Sequence, residues 1–312
     1  MKGLDISREF YRVYGEPMLS KDFADVKHRI AVGLVGEGSE CFGYDDDISR
    51  DHDFDAGFCI WLTKEDYESF GFRLERAYSK LPKTFMGLTR GYLSPVGGNR
   101  HGVIVIDDFY TKFLGAPSAP DSTERWLYTP SSSLATAVNG EVFTDPLGAF
   151  SETRNTLLLG YPEDIRLKKL AAHVVFMSQA GQYNYARSVK RRDFGAAQLS
   201  MFEFIKHAVS SVYLLNNKYE PYYKWAFRGM RDLPILGQLS QTLIALSELD
   251  NGGDRANVKC EIIEDICAMF IDEFKKRELS DADSSELEAH AYSIQGLIND
   301  NSLRNAHIMD GV

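Results

Sequence analysis

The hydrophobic positions follow two periods, and the change from one to the other divides the chain. Short apolar runs predict strands in the first part, where β-branched residues are frequent. The predicted strands are residues 30–35, 51–62 and 101–108. Apolar residues at helical spacing predict helices at residues 6–14, 23–28 and 64–81. We expect the first helix to end at Pro17, because a proline drives the residue before it out of the helical conformation.

Strands nearly vanish after a polar, proline-containing stretch at residues 118–133. The apolar residues that follow have helical spacing, which predicts a bundle. The predicted helices are residues 165–180, 196–215, 236–249, 258–276 and 284–298. We therefore predict an α+β protein, in which a small mixed sheet with helices forms the N-terminal α/β domain (1–120). A connecting segment (121–160) then leads to a C-terminal α-helical bundle (161–312).

Composition narrows the functional classes. A formal net charge of −10 argues against a general nucleic-acid binder, which needs a basic surface to displace phosphate counterions. The four cysteines include no CxxC pair, so neither a zinc knuckle nor a disulfide framework is indicated. No stretch approaches the roughly 18 apolar residues of a membrane span, and no signal-peptide core is present. We expect a cytoplasmic protein with no membrane partner.

A glycine-serine turn and a pair of acids carry the candidate chemistry. Gly38 and Ser39 follow the first predicted strand, where a glycine allows close backbone approach to a phosphate and a serine adds a hydroxyl donor. Asp51 and Asp53 come after a spacer of 11 residues. Because strand side chains alternate, both acids point to one face and can bind the Mg²⁺ that a triphosphate brings. His52 points the other way.

Two other metal chemistries fit the acidic loop less well. The acids from Asp45 to Asp53 alternate as calcium ligands do, but an EF-hand requires glycine at its sixth position and glutamate at its twelfth, where Arg50 and Ala56 stand. His52-Asp53 is also found in metal phosphohydrolases, although the spacing of the other histidines adds nothing to that interpretation. For Asp45 to Asp47 alone we favour an exposed acidic turn.

The glycine-serine turn, spacer and Asp-x-Asp strand together resemble the nucleotidyltransferase superfamily, which includes DNA polymerase beta and the aminoglycoside and lincosamide nucleotidyltransferases. Further segments resemble an uncharacterised bacterial domain-of-unknown-function family assigned to that fold. These segments are residues 38–41, 49–53, 140–145, 214–219, 221–225 and 303–307. The resemblance implies that residues 1–120 form a nucleotidyltransferase-like catalytic domain and that the helical domain closes over nucleotide and acceptor.

The same resemblance implies transfer of a nucleoside monophosphate to an acceptor, with release of pyrophosphate. Asp51 and Asp53 would bind one or two Mg²⁺ ions, while Gly38 and Ser39 would hold the β- and γ-phosphates. ATP is the expected donor by abundance alone. The acceptor is a small molecule or a protein side chain, and the sequence does not choose between them. The oligomeric state is also open.

The superfamily usually adds a third carboxylate from a neighbouring strand. We assign it to Asp107. Asp108 is the rival, because a register shift of one residue would move the other side chain to the face that carries the site. The remaining alternatives for a base are Glu141, Asp145 and Glu203. The central positions of that strand, residues 104 and 106, are isoleucines and cannot bind metal. Because the third carboxylate is not fixed, a second hypothesis stays open: a catalytically inert protein that uses the fold to bind a nucleotide or a partner.

Phosphate charge also requires basic residues. Arg50 stands beside the acidic pair, and Lys224 lies in an aromatic segment where neighbours could pack a base while the ammonium reaches a phosphate. The alternative for Lys224 is a surface lysine whose stem covers Trp225. We include both Arg50 and Lys224 among the nucleotide-binding candidates and leave out the basic run 190–192, which is more typical of a solvated helix end.

Overall fold

The computed structural model describes residues 1–50, 55–90 and 100–312. It is an α+β protein with two compact units. The first unit contains Met1–Asp121 and Thr129–Leu159, and the second contains Ser122–Tyr128 and Gly160–Val312. The predicted connecting segment 121–160 is thus divided between the units, and most of it belongs to the first. No helix in the described part of the chain is long and apolar enough to cross a membrane.

Sixteen α-helices and six strands are present in the described ranges. The helices are α1 (Gly3–Phe10), α2 (Glu16–Asp22), α3 (Lys64–Asp66), α4 (Phe72–Ser79), α5 (Ile106–Leu114), α6 (Thr123–Tyr128), α7 (Ser131–Val138), α8 (Ala149–Leu158), α9 (Glu163–Met177), α10 (Ala186–Lys190), α11 (Phe194–Leu215), α12 (Tyr223–Met230), α13 (Leu239–Glu248), α14 (Asp254–Lys276), α15 (Leu287–Gly296) and α16 (Asn301–Asn305). The strands are β1 (Ala31–Leu34), β2 (Cys59–Leu62), β3 (Thr84–Phe85), β4 (Leu88–Thr89), β5 (Gly102–Val105) and β6 (Glu141–Thr144).

The first helical stretch runs past the proline at which we expected it to end. A π-helical segment, Tyr11–Gly15, joins α1 to α2, and Pro17 lies in the first turn of α2. Gly15 and Glu16, directly before the proline, are also helical, so Pro17 lies within a continuous helical stretch. The predicted helix at residues 23–28 is wrong, since that segment forms a turn and a short 3₁₀ helix, Lys27–Arg29.

The central sheet has the strand order β5-β2-β1-β6. It is mixed, because β2 pairs with β5 in parallel whereas β1 is antiparallel to both β2 and β6. Strand β6 was missed in the sequence, where the second half appeared to be all helical. The pairing of β1 with β6 needs a glycine at Gly33, because a Cβ there would lie 2.4 Å from the carbonyl oxygen of Glu141.

Both faces of the sheet are covered. Side chains alternate between the faces, and every residue of β1 and β2 is buried. One face packs Ile60 and Leu62 against buried aromatic residues of the N-terminal helical stretch and against Leu74 of α4. On the other face, Trp61 stacks on Phe150 of α8 with ring centroids 3.8 Å apart, and Phe109 of α5 meets it edge-on. The sheet is therefore a rigid base for the loops that leave its strand ends.

The second unit is helical. Four of its five predicted helices are confirmed within a few residues of their expected ends, whereas the helix expected at 165–180 continues through a π-helical segment, Ser178–Tyr185, into α10. Two buried lysines of α9 bind the C-terminal segment of the chain. Lys168 donates to the carbonyl oxygen of His307 at 2.5 Å and to Gln295 Oε1 at 2.9 Å, and Lys169 donates to the carbonyl oxygen of Gly311 at 2.7 Å. Burial lowers the pKa of Lys169 to about 8.

Candidate functional site

The glycine-serine segment forms a turn that leaves the end of β1. Gly36 and Gly38 adopt φ values of +125° and +127°, which L-residues with side chains rarely adopt. The side chain of Asn139 binds both sides of Gly36, because its Oδ1 accepts the Gly36 N–H at 2.8 Å and its Nδ2 donates to the Gly36 carbonyl at 2.7 Å. The carbonyl of Ser39 accepts the amide of Tyr44 at 2.8 Å, which closes the turn.

Arg100, two residues before β5, forms hydrogen bonds to this turn. Its Nη2 donates to the Glu40 carboxylate at 2.7 Å, and its Nε and Nη2 donate to the Glu37 carbonyl at 3.2 and 2.5 Å. The side chains of Arg100 and Glu40 are only 15% and 5% exposed, so the pair is well shielded from water. A Cβ on Gly38 would lie 1.9 Å from Arg100 Nη2, so the pair requires a glycine at that position.

A cleft of about 180 Å³ lies beside the turn. Its lining residues are Glu37, Arg100, Ile104, Asp108, Phe109, Lys112 and Phe113. Lys112 Nζ forms an ion pair with Glu37 at 2.8 Å, and both side chains are nearly half exposed. The pair is therefore weak and can be exchanged for a stronger anion. The cleft thus combines an apolar wall with two cations and two carboxylates whose formal charges cancel, a composition suited to a polar organic ligand.

The acids after β5 lie on a helix and not on the strand that we predicted. The strand ends at Val105, and α5 begins at Ile106, so Asp107 and Asp108 occupy the first turn of α5. Successive residues of a helix point about 100° apart, and Asp108 shares a face with Lys112, four residues later. Both side chains are exposed, but Asp108 lines the cleft, whereas Asp107 is not among the described lining residues. This geometry favours Asp108, the rival, over Asp107.

Three residues of the predicted metal and phosphate site, Arg50, Asp51 and Asp53, lie at or just beyond the end of the described range 1–50. Asp51 and Asp53 fall outside the described residues. Arg50 is the last residue of a short 3₁₀ helix, Ile48–Arg50, which leads into them. The described residues resume at Asp55. Its Oδ1 lies 3.0 Å from Nδ1 of His101, the residue directly before β5. The hypothesis that the two acids bind metal thus stays a prediction.

Lys224 belongs to the second unit, whereas the glycine-serine turn belongs to the first. It lies in the first turn of α12, is exposed, and places its ammonium 4.5 Å from the ring centroid of Trp225. This contact is the packing expected for a surface lysine that covers a tryptophan, and it leaves the ammonium accessible to an anion.

The other candidate bases already have structural partners. Glu141 accepts from Arg8 Nε at 3.0 Å. Asp145 accepts the amides of Gly148 and Ser151 at 3.0 and 2.8 Å, where it caps α8. Glu203 Oε2 lies 3.1 Å from His207 Nε2 in the second unit. None of these three lines the cleft in the described part of the chain, so they are poorer candidates than Asp108.

Two buried thiols lie behind the turn. Cys41 Sγ lies 3.6 Å from the Glu37 carbonyl oxygen, and Cys59 Sγ lies 3.2 Å from that of Arg100. Burial raises the pKa of both thiols, that of Cys59 to about 12. Both are protonated at neutral pH, so they pack as small apolar groups rather than as nucleophiles.

The described residues contain no group of three or more His, Cys, Asp or Glu side chains that could hold a metal ion. Asp108 supplies one hard oxygen ligand at the cleft, and Glu37 is paired with Lys112. A carboxylate is a ligand type that Mg²⁺ prefers, but one carboxylate alone does not make a metal site, so the Mg²⁺ site stays a prediction. Asp51 and Asp53 would have to complete the set.

The sequence did not indicate Arg100, Lys112 or Asn139. Each is an ordinary polar residue next to a strand or on a helix, and only the fold brings it to the turn. Asn139 directly precedes the 140–145 segment that carried part of the resemblance, which is the one sequence signal near it.

Comparison with known proteins gives one match. The family described as "Domain of unknown function (DUF4037)" matches residues 126–226, which span parts of both units and include β6 and the first half of α12. No curated protein and no solved structure matches the chain.

Proposed function

We propose that the protein is a Mg²⁺-dependent nucleotidyltransferase that moves AMP from ATP to a small-molecule or protein acceptor and releases pyrophosphate. The proposal rests on one observation. The turn containing Gly38 and Ser39 follows a strand end, has a positive φ at Gly38, and lies beside a cleft that carries two cations and two carboxylates. An apolar wall with a few convergent polar groups is the usual composition of a small-molecule site.

Each side chain at the cleft has a role in this proposal. The backbone of Gly38 and Ser39 approaches the phosphates, and Lys112 exchanges Glu37 for a phosphate oxygen. Arg100, which is paired with Glu40, keeps the turn in place. Asp51 and Asp53 would hold the Mg²⁺, which neutralises phosphate charge when it is bound. Asp108 is the proposed third carboxylate, which accepts the proton of the acceptor group.

A second candidate function has its own supporting observation. The residue of β5 that lines the cleft is Ile104, an apolar side chain where the superfamily usually has an acid. A protein that binds a nucleotide or a partner without turnover would tolerate that residue. This candidate predicts nucleotide binding with no release of pyrophosphate.

A pyrophosphate-release assay separates the two candidates. The wild-type protein is incubated with ATP, GTP, CTP or UTP and Mg²⁺, together with pooled hydroxylated metabolites, aminoglycosides and unfolded protein as acceptors. The Asp51→Ala/Asp53→Ala variant tests the metal ligands. The matched control is Asp25→Ala/Glu68→Ala, which removes two exposed carboxylates of the same unit outside the cleft.

Sustained release that is lost in the Asp51→Ala/Asp53→Ala variant and retained in the control supports transfer. Binding of one nucleotide without release supports the second candidate. A protein that neither binds a nucleotide nor releases pyrophosphate contradicts transfer and the nucleotide-binding form of the second candidate.

A further inference from the structure

A second pocket of the first unit has no part in the proposed function. It has a volume of about 490 Å³ and lies between the end of α2 and one face of α4. Its lining residues are Met18, Asp22, Phe23, Arg73, Arg76, Ala77, Lys80 and Leu81. Pockets of several hundred cubic ångströms commonly hold small molecules. None of these residues lines the cleft beside the glycine-serine turn.

Three cations line one wall of this pocket. Arg73, Arg76 and Lys80 are exposed and follow one another at intervals of three and four residues, so they share a face of α4. Like charges at these intervals destabilise a helix. Such a row is conspicuous in a chain with a formal net charge of −10.

No acidic side chain in the described ranges forms an ion pair with any of the three. The nearest acid of the same helix, Glu75, accepts the hydroxyl of Tyr67 at 2.7 Å on another face. The Asp22 carboxylate at the pocket edge forms no ion pair with Arg73, whose Nη2 instead reaches the Asp22 backbone carbonyl at 3.5 Å. The positive charge of this wall is therefore left for a ligand from outside the chain.

The pocket floor orients one of the cations. The Arg73 guanidinium lies 5.2 Å from the ring centroid of Phe23, which limits its movement and places its donors over the pocket. Met18 and Leu81 supply an apolar surface beside it. An organic group can lie on that surface while its charge meets the cations.

We propose that this pocket binds a small molecule carrying a diphosphate or two phosphate groups. Arg73 and Lys80, the residue directly after α4, are seven positions apart, which is roughly 10 Å of helix at 1.5 Å per residue, so one phosphate group cannot meet all three cations. Guanidinium groups pair well with phosphate oxygens because two parallel N–H donors can meet two oxygens. The proposal concerns a different pocket from the nucleotidyltransferase cleft and does not depend on that function.

Calorimetric titration tests the proposal with inorganic pyrophosphate and with ADP, both in EDTA so that no metal-dependent site contributes. The test variant is Arg73→Gln/Arg76→Gln/Lys80→Gln. The matched control is Arg12→Gln/Lys64→Gln/Lys83→Gln, which removes the same charge from exposed residues of the same unit outside the pocket. Circular dichroism establishes that both variants fold.

We expect the wild type and the control to bind at least one probe with similar affinity, and the test variant to bind it at least tenfold more weakly. A loss of that size corresponds to one or two charge-assisted hydrogen bonds. Tighter binding of ADP than of pyrophosphate would show that the apolar floor also contacts the ligand.

Three results would overturn the proposal. The first is the absence of binding by either probe to the wild type. The second is equal weakening in both triple variants, which would indicate general electrostatic attraction. The third is unchanged affinity in the test variant. If the triple variant does not fold, Arg76→Gln is compared with Arg76→Lys. Arg76→Gln removes the charge and should weaken probe binding, whereas Arg76→Lys keeps the charge, and equal affinity in the two variants would overturn the proposal.

Discussion

The ion pair between Arg100 and Glu40 should be the main tether of the glycine-serine turn. Replacing Arg100 with methionine keeps most of the packing volume but leaves the Glu40 carboxylate, which is 5% exposed, without its cation. It also removes the donors to the Glu37 carbonyl. Breaking a buried pair from one side costs about 3–5 kcal/mol, because the remaining charge stays buried. We expect Arg100→Met to lower the free energy of unfolding of the first unit by that amount.

A second ion pair of the same unit provides the control. Arg8 and Glu141 form the same type of contact, but their side chains are 43% and 41% exposed. Exposed pairs contribute about 0–1 kcal/mol, so Arg8→Met should cost no more than this. The contrast between the two variants isolates the effect of burial from the chemistry of the pair.

Urea unfolding followed by the fluorescence of Trp61 measures the effect in the first unit alone. Trp126 and Trp225 belong to the second unit, so the assay uses a Trp126→Phe/Trp225→Phe background. In Arg100→Met/Glu40→Leu both charges are gone, and we expect part of the stability to return. A cost below 1 kcal/mol for Arg100→Met, or a cost equal to that of Arg8→Met, would refute the reasoning.

Three further predictions concern the turn, the buried lysine and the thiols. Gly38→Ala should lower nucleotide affinity at least tenfold in calorimetry, because φ is +127° and the added Cβ collides with Arg100. The free energy of unfolding of the second unit should rise between pH 8 and 10.5, because unfolded Lys169 binds a proton that the folded side chain, with a pKa of about 8, has released. Urea titrations followed by circular dichroism should show a smaller rise in Lys169→Met. A thiol reagent should label the half-buried Cys260 well before buried Cys41, as mass spectrometry of the labelled peptides would reveal.

Helical spacing predicted the second unit well because its helices are long and their apolar faces pack on one another. The limits of most predicted helices there differ from prediction by a few residues, as for Phe194–Leu215, expected at 196–215. In a long periodic segment the helical spacing of the apolar residues is clear even where single residues have low helix propensity.

Prediction failed where tertiary contacts decide the local structure. Residues 141–144 are only half-buried and have no flanking pattern, and they become a strand because they pair with the edge of β1. The chain leaves β5 at Ile106 for a helix, although its β-branched residues continue to that point. That early end moves Asp108, and not Asp107, into the cleft.

The candidate site was predicted in part for the same reason. Gly38 could be recognised because it needs a conformation that few other residues adopt, and this leaves a local sequence signal. Arg100 is distant in sequence and acts through a contact that only the folded sheet creates. Charged residues before a strand are too common to be singled out without the fold.

The most direct test of the central claim is the affinity of the protein for ATP, measured by calorimetry with and without Mg²⁺. The account predicts binding by the wild type that strengthens with Mg²⁺, is lost in Asp51→Ala/Asp53→Ala and persists in Asp25→Ala/Glu68→Ala. Binding that is independent of both the metal and the two acids would contradict the claim, as would the absence of ATP binding under any of these conditions.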